Sequence, residues 1–282
     1  MITTLDTQPQ EWMESNPNAF HTIAACTFDN IEHIEYWINK LVPKNRNGEF
    51  VKWSSGKRNV RYRDIFINNC IKYVNEIDFY VNCISAKAGE MSWIAWSFYM
   101  QNQNHIRQEK DRKGRNNLVF QITEEKSIAF PVLRAGFLIW FYYALKYLSD
   151  VKKIKGKFLS DYFASDELGP GEGKALGAAF VNFLLKQSNL DIQISLPTNE
   201  RFKNLDRISD YFCGWVNSIR NLSATKENIE KFDLLSNKNP MIDGFIYIPL
   251  LTIIDENGTD ITSEIMRKVI EGSKINGENE QN

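Results

Sequence analysis

The chain has 282 residues, 43% of them hydrophobic and 24% charged, which is enough apolar material for a sizeable core and excludes a wholly disordered protein. Lys and Arg number 34 against 35 Asp and Glu, a formal net charge of −1, so a globally basic nucleic-acid coat protein is excluded while a local basic groove is not. The cysteines Cys26, Cys70, Cys83 and Cys213 lie far apart with no paired spacing, which argues against a disulfide framework and against a zinc ribbon or finger.

The first residues carry no basic region followed by an apolar run, so no signal peptide is expected. Residues 2–7 read as a first strand, followed by a turn at Pro9, which cannot continue a ladder. Residues 20–28 alternate small and apolar side chains and predict a mostly buried second strand. Asp29 or Asn30 then caps a helix carrying Ile31, Ile34, Ile38 and Leu41, stopped by Pro43. Helical spacing returns over 60–74, a strand is expected over 79–86, and an aromatic amphipathic segment over 91–100. Residues 101–117 turn abruptly polar and basic and read as a flexible excursion.

Pro131 opens a long apolar helix reaching about Leu148, which Arg134 and Lys146 interrupt too strongly for a membrane span. A strand over 157–163, a Gly-rich loop (Gly169, Gly171, Gly173) running into a helix, a strand over 190–196 and a helix over 205–219 follow. Beyond Asn221 the pattern weakens to one or two strands over 245–254 and a short helix over 262–275. This order predicts a mixed α/β domain over 1–221 and a small C-terminal extension over 222–282 with a polar, disordered tail. The expected setting is the cytoplasm, with no membrane partner.

The three histidines, His21, His33 and His105, have no partner at metal-ligand spacing. The Gly-rich loop misses a phosphate-binding pattern: three residues separate Gly169 from Gly173 where four are needed, and Ala175 stands where a hydroxyl should hold magnesium. The carboxylates say more. Asp6 ends the first predicted strand, Asp161 lies in a later one with Asp166 and Glu167 beyond it, and Asp206 and Asp210 share one helix face. Acids converging from different elements at one sheet edge repel unless cations lie between them. Oxygen-bound Mg²⁺ ions in such a place activate water and stabilise the leaving oxygen of a phosphodiester.

The order of these features resembles the bacterial "domain of unknown function 3800" family over roughly residues 1–220. Thr4-Leu5-Asp6 stands where that family has a strand ending in Asp, and residues 20–28 where it has a buried second strand. Glu49-Phe50-Val51-Lys52-Trp53 resembles its basic-aromatic segment, Phe158-Leu159-Ser160-Asp161 its acid-bearing strand, and Arg207-Ile208-Ser209-Asp210 its late helix. The chain departs from the pattern in having only Asp6-Thr7-Gln8 where an acidic pair with Ser-Gly is usual, and no second acid beside Asp161 before Asp166 and Glu167. The resemblance implies a ribonuclease-H-like mixed sheet flanked by helices. It implies a site of Asp6, Lys52, Asp161 and Asp210, with Asp6, Asp161, Asp210 and the loop residue Glu167 holding Mg or Mn.

Cations around Lys52 (Lys44, Arg46, Lys57, Arg58, Arg61, Arg63) and within the excursion (Arg107, Lys110, Arg112, Lys113, Arg115) suit phosphate binding. The aromatics Trp93, Trp96, Phe98 and Tyr99 suit either base stacking or a core. The leading expectation is therefore divalent-metal-dependent hydrolysis of DNA or RNA, in bacterial (phage) defence or a mobile element. The alternatives are a catalytically inactive ribonuclease-H-like interaction module with protein partners, and a small-molecule enzyme built on the Gly-rich loop.

Overall fold

The computed structural model describes residues 1–8, 16–53, 60–122, 126–160, 173–195 and 204–246. Two strands, β1 (Ile2–Gln8) and β2 (Phe20–Phe28), lead into α1 (Ile31–Leu41). The Asn30 side chain accepts the His33 N–H at 2.8 Å and so caps a free amide of the first turn of α1. Next come α2 (Val60–Lys72), β3 (Tyr80–Lys87) and α3 (Ala88–Gln101). Residues 101–117, which their composition sets apart as a flexible excursion, instead take regular structure. β4 (Ile106–Lys110) pairs antiparallel with β5 (Asn116–Gln121), which pairs antiparallel with β6 (Ser127–Pro131). The anchors of this small sheet are few but complete: Ile106, Leu118, Phe120, Ile128 and Phe130 are all buried. Only one of them lies in β4, whose other residues are exposed, so the first strand is masked in the sequence by its charged outer positions.

Pro131 is the N-cap of α4 (Val132–Asp150), a place where its missing N–H leaves no helical bond unmade. β7 (Gly156–Ser160), α5 (Gly173–Gln187), β8 (Ile192–Ser195) and α6 (Arg207–Arg220) follow. The chain after Asn221 then adds α7 (Lys226–Lys238), which the weak pattern there did not suggest, and β9 (Ile242–Ile246). The Thr225 side chain caps α7 by accepting the Asn228 N–H, and Phe232 and Leu235 are its buried residues. The helix expected over 262–275, the rest of the strand region beyond 246 and most of the Gly-rich loop lie outside the described residues.

The larger sheet has the order β8-β7-β1-β2-β3-β9. Its middle three strands are antiparallel, β7 runs parallel to β1, β8 parallel to β7, and β9 parallel to β3. Side-chain alternation splits the core into two layers. Leu5, Ile23, Ile84 and Phe158 face α3, α4, α5 and the small sheet. Ala24, Cys26, Cys83 and Leu159 face α1, α2, α6 and α7. The protein is thus a mixed α/β fold with helices on both faces of its main sheet. Among the described residues no helix is long and apolar enough to cross a membrane.

Candidate functional site

α6 is fixed on β1 and β2 by polar contacts rather than by apolar packing alone. The Thr4 and Ser209 hydroxyls hydrogen-bond, the Cys213 thiol donates to the Thr22 carbonyl, and the Asn217 side chain donates to the carbonyls of Gln8 at 3.0 Å and Phe20 at 2.7 Å. These bonds set the rotation of α6, and one consequence is that Asp210 meets Asp6. The two carboxyl groups hydrogen-bond to each other, and both residues are buried, Asp6 at 3% and Asp210 at 5% exposure. Asp6 lies inside β1 opposite Ala24, not at the strand's end as its sequence suggested.

Asp210 takes further donors. The Trp53 N–H gives its Oδ2 a 2.7 Å bond, and the Gln8 amide reaches its Oδ1 at 3.4 Å. Burial pushes the Asp210 carboxyl above the usual carboxylate range; the Trp53 bond, the Asp6 bond and the charges of Arg207 and Lys52 each offset part of that rise. The structure therefore brings Asp6 and Asp210 together, with the charge of the exposed Lys52 acting on Asp210. Asp206, the spare acid of the same helix face, accepts from the Arg207 guanidinium at 3.0 Å.

The segment carrying Lys52 is seated by its neighbour. Between α1 and α2 the chain turns at Asn45–Gly48, where the Asn45 side chain accepts the N–H groups of Asn47 and Glu49 and Gly48 has φ +80°. Trp53 then lies against α6 at Gly214, where an added Cβ would fall 2.0 Å from the indole. The Trp53 ring also meets Tyr211 edge-on at 5.5 Å and carries the Arg63 guanidinium over its face at 4.9 Å. The glycine notch, the indole and the peptide N–H form one chain of contacts, so the position of Lys52 depends on α6.

Asp161 and Glu167 lie outside the described residues. The last described residue of β7, Ser160, pairs with Leu5, the neighbour of Asp6. Its hydroxyl is fully buried and has no hydrogen-bond partner among the described residues. Asp161 follows Ser160 in the sequence.

Gln8, Trp53, Arg63 and Arg207 are contributors that sequence reasoning did not assign to the site. Arg207 had a visible signal, three residues before Asp210 on one helix face; a backbone donor such as the Trp53 N–H has none. The remaining nucleophile candidates are structural. His33 hydrogen-bonds Asp78 at 2.8 Å, His21 is buried and its imidazole is lowered to about 4 by burial, and all four thiols are buried and pushed up by burial. Trp93 is buried, and Trp96, Phe98 and Tyr99 pack against the same core. No group of three or more His, Cys, Asp or Glu side chains suited to a metal ion occurs among the described residues. Comparison of the chain with protein-family models, curated proteins and solved structures gives no match.

Proposed function

We propose that the protein is a ribonuclease-H-like hydrolase that cleaves phosphodiester bonds of DNA or RNA with Mg²⁺ or Mn²⁺. One observation carries this reading: Asp6 on an interior strand and Asp210 on α6 hydrogen-bond in a buried place, beside β7, whose last residue Ser160 precedes Asp161 in the sequence. The main sheet, three antiparallel strands continued by two parallel to the first, accords with that fold. The donor set also suits the metal. Two touching carboxyl groups offer the oxygen ligands that a hard divalent cation takes, and their mutual repulsion once ionised favours a cation between them. When bound, the metal activates water and stabilises the leaving oxygen.

The chain's own residues have separate roles in this proposal. The Trp53 N–H and the Gln8 amide orient the Asp210 carboxyl. The Lys52 ammonium attracts a substrate phosphate. Asp161 and Glu167 supply the remaining carboxylates. Calorimetric titration with Mg²⁺ and Mn²⁺, together with cleavage assays on single- and double-stranded DNA and RNA, tests the reading. We expect metal binding and cleavage in the wild type, with cleavage lost and nucleic-acid binding retained in Asp210→Asn and Asp161→Asn. Wild-type protein that binds neither metal and cuts nothing sinks it.

That outcome would favour the second reading, an inactive interaction module. Its support is that Asp6 and Asp210 bond to each other while the charges of Arg207 and Lys52 act on Asp210, an arrangement that balances the acids without an ion.

A further inference from the structure

The acid pair uses one face of the main sheet. The other face holds a cavity of about 800 Å³ where the end of α3, the β4–β5 hairpin, α4 and the end of α5 meet. We infer that this cavity is a second binding site, and that it takes an uncharged small molecule bearing a planar ring. Three features of the lining carry the inference.

The first is the absence of charge. Among the described residues no Asp, Glu, Lys or Arg lines the cavity. A charged ligand entering it would lose water and find no carboxylate, ammonium or guanidinium counter-ion among the described lining residues, which opposes binding. The second is the floor. Ile106, Phe120, Tyr142 and Leu184 are buried yet line the cavity, and Phe98 and Phe183 stand above them as half-buried walls. Flat apolar surface of this kind rewards a ring. The third is the rim, where the exposed amides of Gln101, Asn104, Gln121 and Gln187 give paired donor and acceptor groups of the type that read the edge of a heterocycle.

The walls are held in place by bonds of their own. The Tyr142 and Ser188 hydroxyls hydrogen-bond at 2.6 Å across α4 and the end of α5. His105 donates its N–H to the Asn102 carbonyl at 2.9 Å, and its own carbonyl accepts from the Gln121 N–H at 3.1 Å, which ties the turn after α3 to the small sheet. The volume falls within the range of roughly 300–1,000 Å³ that small-molecule sites occupy.

Saturation-transfer NMR on the full chain with adenosine, thymidine and nicotinamide tests this, with AMP as the charged counterpart of adenosine. We expect at least adenosine to bind, AMP to bind about tenfold more weakly, and Gln187→Trp and Phe183→Ala each to weaken adenosine about tenfold with unchanged circular dichroism. Gln187 is exposed, so its replacement tests the rim without burdening the fold. Asp210→Asn should leave adenosine binding intact, because the acid pair lies on the other face. Three results overturn the inference: no saturation transfer from any neutral probe at millimolar concentration, adenosine binding that survives both cavity variants, or adenosine binding lost in Asp210→Asn.

Discussion

At the scale of single residues, one buried polar group has a direct consequence for stability. His21 on β2 is 4% exposed and packs edge-on to Phe137 at 6.3 Å, and burial holds its imidazole at about 4 against an ordinary 6.5. The folded protein keeps this group neutral while the unfolded chain takes up a proton below pH 6.5. Stability from this source is present above the unfolded value and drains away as pH falls toward 4, with an upper bound of about 3 kcal/mol. Urea melts at pH 7 and pH 4.5 should show this loss in the wild type and a smaller one in His21→Phe; equal pH dependence in the two would refute it. Gly214 matters for a steric reason. A Cβ there collides with the Trp53 indole, a side chain held by Tyr211 and Arg63, so Gly214→Ala should cost about 1–3 kcal/mol by urea melt and shift Trp fluorescence. Because Trp53 also bonds Asp210, the same variant should lower any metal-dependent cleavage, a linkage that a purely structural notch would not show once stability is restored by cooling.

Among the elements, α3 and α4 approach each other closely at Gly136. At Gly136 a Cβ would fall 1.8 Å from the Met91 carbonyl oxygen, a backbone atom that cannot swing aside. Gly136→Ala should therefore be more damaging than Gly214→Ala, by about 3 kcal/mol or more in urea melts, and a smaller loss would mean the two helices can slide apart. The small sheet is joined to α5 through Phe180, which is fully buried and lies 4.5 Å from Phe120 and 5.3 Å from Phe130 between ring centroids. Phe180→Ala should cost about 3–5 kcal/mol and loosen the β4–β5 hairpin, seen as faster amide exchange at Ile106 and Phe120; unchanged exchange there would place the hairpin's support elsewhere. These elements also mark how far the sequence could be read. β2 was legible from its small and apolar residues at nearly every position, and α4 from its long apolar run. β4 was not, since a strand with one buried residue leaves no alternation to detect. α7 was missed because its two buried residues are diluted by charged ones on the exposed side.

Across the whole molecule, the main sheet separates two chemistries, with the acid pair under α6 on one face and the aromatic- and amide-lined cavity on the other. The candidate acids were visible in the sequence as residue types at strand and helix positions, and Asp6 and Asp210 were matched by motif. Their contact was not visible, because it depends on how Thr4, Cys213 and Asn217 rotate α6 against the sheet, and such polar register bonds leave no periodic trace. Those same bonds span almost the entire described chain: Thr4 meets Ser209 across 205 positions and Gln8 meets Asn217 across 209. Contacts of such long range form late in folding. On the ribosome, β1 is among the first segments made, yet Asp6 cannot meet Asp210 until α6 has been synthesised and has left the exit tunnel. For most of its synthesis the nascent chain therefore holds Asp6 apart from Asp210. On the proposed reading, cleavage chemistry at this centre therefore begins only after translation has passed α6.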